Sequence, residues 1–305
     1  MRIAYLVISH GDPAQVLRLV RALREGPSSH VYVRHDERRS RLDRRELDAA
    51  GGIQLRDAID VEWGDWSYLR MLLDALERIR AELDPDWVLV VSGQDYPLRP
   101  LPEIEARLES AHNDAFIGLA WELETGQPPP SPADDFFRRY AYRHVRVPAW
   151  MPHLPGRLGG LAYLRELPPP LRPRLGLRSP RLPFGPDLRC WVSGDWPLLG
   201  RRALAALLEA AREKQALMRH LRWTIAPSES FFATVLMNEP GLSVSGDDHR
   251  FVSFGPGAAR PDLLTSADLE RLVASGAHFA RKFDAGVDAA VLDRLDELRR
   301  SAHGR

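Results

Sequence analysis

At 305 residues, with 44% hydrophobic and 28% charged positions, the chain is long enough to bury a substantial core as one large α/β domain or two small ones. Its charges cancel to a net +0, so no global field recruits nucleic acid or an anionic membrane, and any anion site must be built locally. The single cysteine, Cys190, excludes an internal disulfide and a multi-cysteine zinc site; with no signal-peptide profile and no apolar run near the ~18 residues of a membrane span, the cytosol is the expected compartment.

Residues 2–9 form a continuous apolar run of strand length, and Asp12 followed by Pro13 is an N-cap with proline in the first helical turn. The body of that helix, Ala14 to Glu25, places Val16, Leu17, Leu19, Val20 and Leu23 at helical spacing. A short strand at Val31–Val33 ends in Arg34-His35-Asp36, so strand, helix and strand predict a parallel unit. Ser67 is positioned to cap a long amphipathic helix through Leu83, and Trp87–Val91 predicts a buried central strand ending in Ser92-Gly93-Gln94-Asp95. Three polar segments thus follow strands at the sheet edge where ligands bind in open α/β folds.

From about Gly126 to Pro186 the chain is rich in proline and arginine and predicts little regular structure, as a loop over the site or an irregular surface insertion. Beyond it come Trp191–Trp196, a helix from about Arg201 through Met218, and a shorter helix from near Ser228. A strand at Arg250–Phe254, a helix capped by Thr265 and Asp268, and an amphipathic helix over about 286–300 complete the reading.

Several of these segments together resemble the core-2/I-branching enzyme family of β-1,6-N-acetylglucosaminyltransferases and peptide O-xylosyltransferases. The matching residues are Ala4–His10, Val33–Asp36, Trp63-Gly64-Asp65-Trp66-Ser67, Ser92–Leu98, Pro227-Ser228-Glu229-Ser230-Phe231-Phe232 and Phe279–Asp284, in order across nearly the whole chain. The resemblance implies a single GT-A-like domain over 1–305: a Rossmann-related, mostly parallel twisted sheet flanked by helices, interrupted by the 126–186 insertion or acceptor loop. It further implies a UDP-sugar donor (GlcNAc or xylose), inversion at the anomeric carbon and no cofactor or divalent metal. Two departures stand out: the animal members carry an anchor and several cysteines, and Pro-Ser-Glu stands here where the family often has Pro-Asp-Glu.

Inverting transfer needs a base for the acceptor hydroxyl, and the family match puts that role on Glu229. Spacing alone favours Glu229 as a mere partner of its helix dipole, and the family match reverses that reading. The leaving diphosphate needs cations when no metal serves, and the resemblance carries Arg250 and Lys282 onto that task. Asp36 falls where the family holds uridine, with Val7 and Ser9 under the base through their backbones; Asp95 stands where a metal motif would lie and is expected to contact donor sugar or acceptor. Asp195 and Trp196 are the candidate acceptor residues, the indole offering a face to a pyranose. The acidic pairs Asp84/Asp86, Asp134/Asp135 and Asp247/Asp248 read as solvated turns rather than metal ligands. The expected acceptor is a glycan, a polysaccharide or a lipid-linked intermediate, with peripheral contact to the inner face of a membrane as an option for the basic insertion. The competing readings are a glycoside hydrolase, which lacks an obvious second carboxylate, and a catalytically dead carbohydrate- or UDP-binding protein on the same fold.

Overall fold

The computed structural model describes residues 1–56, 60–118, 120–123, 135–148, 161–165, 173–256 and 260–303. The first third alternates as expected: β1 (Ile3–Ser9), α1 (Pro13–Leu23), β2 (Ser29–His35), α2 (Arg44–Ala49), β3 (Gly52–Gln54), α3 (Trp66–Leu83) and β4 (Trp87–Ser92). Asp12 caps α1 by accepting the Ala14 amide at 2.8 Å. The cap of α3 is Asp65, whose carboxylate accepts the Ser67 amide at 3.1 Å; the left-handed Gly64 (φ 74°) turns the chain so that the aspartate, not the serine, faces the open N–H groups.

β5 (Asp95–Pro97), α4 (Leu101–Glu109), β6 (Ala115–Phe116) and β7 (Trp121–Leu123) lead to the proline-rich stretch. Its described parts are more regular than the composition predicts. They hold α5 (Asp135–Ala141), β8 (Tyr142–Arg146), β9 (Ala162–Arg165) and β10 (Arg174–Arg178), and the three strands pair antiparallel in the order β8-β10-β9. Strands this short between prolines leave no periodicity long enough to read. β11 (Cys190–Val192), β12 (Leu198–Gly200), α6 (Arg201–Glu213), α7 (Gln215–Leu221) and α8 (Pro227–Asn238) follow, the helix expected over 201–218 being broken at Lys214, where ψ is 59°. β13 (Val244–Ser245), β14 (Arg250–Val252), α9 (Leu269–Ala274), β15 (Phe279–Arg281) and α10 (Ala290–His303) complete the order, with Thr265 and Asp268 forming the expected capping box.

Among the described residues, the central sheet runs β13-β6-β12-β4-β1-β2-β3, and only β12 opposes its neighbours. Alternation along β1 divides the core. Ala4 and Leu6 pack with α3, α6 and α8 on one face, and Ile3, Tyr5 and Val7 with α1, α4 and α10 on the other. This is a mixed α/β fold with a mostly parallel sheet flanked by helices, and the register Ile8↔Ser92 and Ser9↔His35 brings the carboxyl ends of β4, β1 and β2 side by side. No described helix is long and apolar enough to cross a membrane.

Candidate active site

A small sheet, β14-β15-β5, sits beyond the carboxyl end of β4 and pairs Arg281 with Asp95 across β15 and β5. Gln15 of α1 fixes this arrangement. Its amide donates to the carbonyls of Gly93 and Phe283 (3.1 and 3.0 Å) and its oxygen accepts the Ala285 amide at 2.7 Å. Gly93 permits the crowding, since a Cβ there would lie 2.6 Å from Cβ of Ser9.

Asp95 is buried between two arginines. Oδ2 accepts the Ser92 amide at 3.1 Å and faces Nε of Arg250 at 3.2 Å, while Oδ1 faces Nε of Arg281 at 3.2 Å. The Arg250 side chain is wholly buried and also donates to the carbonyls of Trp196 and Val90 at 3.0 and 3.2 Å. Arg250 therefore braces the floor of the site. The cation that reaches the surface beside Asp95 is Arg281, which the motif Phe279–Asp284 contained but which the sequence reading passed over for Lys282. Lys282 makes no ion pair among the described residues; burial and the neighbouring Arg260 and Arg281 hold its amine below the ordinary lysine value, against Asp262 and Asp284.

Glu229 lies in the first turn of α8, entered through the left-handed Ala226 (φ 51°). The Ala226 amide donates to Gly64 at 2.9 Å and the Glu229 carbonyl accepts the Ser193 amide at 3.0 Å, so two sequence motifs position the carboxylate. Arg139 of α5 donates to Glu229 Oε2 at 3.0 Å, and the Tyr140 hydroxyl to the Ala226 carbonyl at 3.0 Å. Arg146 and the buried Arg174 pair with Glu62 and Asp65 beneath the same turn. The 126–186 stretch is thus docked onto the site through its described segments. Arg139, hidden among many arginines, was not singled out from sequence.

Asp195 is buried just before β12. Burial pushes its carboxyl up to about 6, against the Ser228 hydroxyl and the charges of Arg281 and Arg139. Trp196 is half-buried, and Arg281 lies over one face of its ring, 4.4 Å from the centroid. The exposed indoles here are instead Trp63 and Trp223, 62% and 44% exposed, which flank the Gly64–Ala226 bridge.

Of the residues expected at the uridine, Val7 has no exposed surface and lies between β2 and β4. Ser9 is nearly buried; its carbonyl accepts the Asp36 amide at 2.8 Å and its hydroxyl bonds His35 Nδ1 at 2.8 Å. Because His35 Nε2 sits 2.8 Å from the Ser40 carbonyl it must donate there, so Nδ1 accepts from Ser9 and the ring is neutral, as its burial also favours. Asp36 is held in a fork by Arg38, Nε to Oδ1 at 2.8 Å and a terminal nitrogen to Oδ2 at 2.9 Å, which holds its carboxyl below the ordinary aspartate value. Asp84 and Asp86 lie at the amino end of β4, paired with Arg201, on the opposite edge from the site. Asp247 pairs with His249, and Asp248 lies 3.6 Å from Arg250; Asp134 and the Asp135 side chain are outside the described residues.

Residues 3–123 match the model of the Core-2/I-Branching enzyme family. Its curated relatives include the xylosyltransferase oxt of Drosophila pseudoobscura pseudoobscura, 27% identical, and xylosyltransferase 1 of Canis lupus familiaris, 24% identical, each alignment covering 97% of this chain. The chain spans about a third of the length of these relatives (33% and 30%). Among solved structures, 4-diphosphocytidyl-2C-methyl-D-erythritol synthase from Anaerococcus prevotii aligns over 90% of this chain and 95% of its own at 9% identity, with a TM-score of 0.38, a likeness too slight to bear on activity.

Proposed function

We propose that the protein transfers a sugar, GlcNAc or xylose, from a UDP-sugar to a hydroxyl of a glycan or glycoconjugate, with inversion and without a divalent metal. The observation that carries this reading is the arrangement around Tyr68, whose hydroxyl lies within electrostatic reach of Asp195, Arg281, Asp95 and Glu229. One guanidinium, Arg281, and the carboxylate of Glu229 are therefore both neighbours of the same buried hydroxyl. Arg281 and Lys282 are suited to receive the diphosphate, one by forked hydrogen bonds and the other as a mobile point charge. They meet the negative charge that grows on the leaving group as the anomeric bond breaks. Glu229, steadied by Arg139, takes the proton of the attacking hydroxyl.

The surroundings of Asp95 support metal independence. Its oxygens lie 3.2 Å from the Nε atoms of Arg250 and Arg281, so two guanidinium groups supply cationic charge beside the carboxylate. The Asp36–Arg38 fork beside Ser9 is the polar surface offered to the uridine, and Trp63 and Trp223 offer indole faces to the acceptor. The test is release of UDP from UDP-xylose, UDP-GlcNAc, UDP-glucose and UDP-galactose in EDTA, with and without sugar acceptors. Turnover that persists in EDTA supports the arginine–lysine clamp, and turnover that requires added manganese removes it. The hydrolase reading is separated by whether UDP binds at all.

A further inference from the structure

Apart from the Asp95–arginine ion pairs, the buried polar atoms of this site without a hydrogen-bond partner among the described residues are the Tyr68 hydroxyl, Oδ1 of Asp195 and the Ser228 hydroxyl, the last near enough to the Asp195 carboxyl to favour its charged form. Their residues are 3%, 6% and 0% exposed and come from three separate elements, α3, the turn before β12 and α8. Leaving such a group unpaired is costly, and most buried polar groups in folded proteins are paired. Three together at one place point to a ligand that supplies the missing bonds.

Their position identifies which part of the ligand. Tyr68 is within electrostatic reach of both Arg281 and Glu229, and Asp195 of both Arg281 and Arg139, the partner of Glu229. In an inverting transfer the ring being moved is bonded to the diphosphate on one side and attacked from the other, so it lies between the clamp and the base. We infer that Tyr68, Asp195 and Ser228 form a subsite that reads ring hydroxyls of the transferred sugar, Tyr68 donating, Asp195 accepting and Ser228 able to do either. Tyr68 and Ser228 are positioning and specificity residues that take no proton from the acceptor. This rests on the transfer reading above, and it makes the discrimination among UDP-sugars a property of these three side chains. A site built to hydrogen-bond a hydroxyl rejects a sugar lacking it because its own groups are then left unpaired.

The experiment is calorimetric titration of the full chain in EDTA with UDP alone and with UDP-xylose, UDP-GlcNAc and UDP-glucose, in wild type, Tyr68→Phe and Ser228→Ala. Each substitution removes one hydroxyl and keeps the shape. The expected result is that UDP binds all three proteins equally, while the preferred UDP-sugar loses about tenfold in affinity in each variant, one neutral hydrogen bond's worth. Equal affinities for the UDP-sugar across the three proteins, or parallel losses for UDP and UDP-sugar, overturn the subsite and leave the transfer reading standing. A wild type that binds neither UDP nor any UDP-sugar removes both. A fall in melting temperature in the variants with unchanged sugar affinity assigns the three groups a purely structural role and also overturns the inference.

Discussion

Arg250 and Arg281 share one aspartate but differ in burial, and replacing each by leucine separates support from ligand contact. In Arg250→Leu, Asp95 keeps only Arg281 and the Ser92 amide, and the carbonyls of Trp196 and Val90 lose their guanidinium donor. Removing one partner of a buried ion pair costs about 3–5 kcal/mol. At about 2–4 °C per kcal/mol for a domain of this order, the melting temperature falls by roughly 10 °C. In Arg281→Leu the lost guanidinium is 17% exposed and Arg250 still holds Asp95, so the cost is about 1–2 kcal/mol. UDP affinity reverses the order: the Arg281 variant loses one or two charge-assisted bonds to phosphate, about 1.5–3 kcal/mol each, or at least tenfold in Kd. Thermal melts and UDP titrations on the two purified proteins provide the readout. An Arg250→Leu protein that melts with wild type yet fails to bind UDP would refute the reasoning and restore Arg250 as the phosphate ligand.

Glu229→Gln is expected to lower turnover by about 10²–10⁴-fold while UDP affinity stays within twofold, measured by UDP release and calorimetry. Lys282 carries its charge below a pKa that lies under the ordinary lysine value, so UDP affinity, followed upward from pH 7 where phosphate is already ionised, declines at lower pH than an unperturbed lysine would give. Lys282→Met should flatten that profile. Asp195 has a folded-state value of about 6 against an ordinary 3.8, so its carboxyl favours folding when protonated; the contribution is full below about pH 4 and lost as pH rises through 6. Asp195→Asn should accordingly raise the melting temperature at pH 8, by up to about 3 kcal/mol of stability, and much less at pH 4.5, and equal effects at both would contradict this. Gly93→Ala forces a contact with Ser9 and should destabilise by about 1–3 kcal/mol in urea titrations.

The parallel half of the fold was legible because its strands are buried on both faces and its helices carry long apolar stripes, signals that survive without tertiary knowledge. The carboxyl edge bearing Ser9, Asp36 and Asp95 was legible for the same reason. What escaped was decided by three-dimensional context. Arg250 and Arg281 are the same residue type on short neighbouring strands, and only the packing of β14 and β15 against β5 determines which is sealed and which is open. Trp196 matched a sugar-stacking residue in type, but Arg281 lies over its ring. Arg139 reaches Glu229 from a stretch whose prolines hide its helix and strands from any periodicity.

The bond from Gln15 to the carbonyl of Phe283 joins residues 268 positions apart, and Arg281 and Lys282, the proposed clamp, are placed through it. Such closure is entropically late in folding, because the long loop must be formed before its contacts repay it. An intermediate with only the parallel β1–β4 unit in place would own the edge proposed for the uridine but not Arg250 or Arg281. Affinity for a nucleoside diphosphate should therefore emerge in the final phase of refolding, after the sheet has formed, making the ligand a reporter of complete assembly.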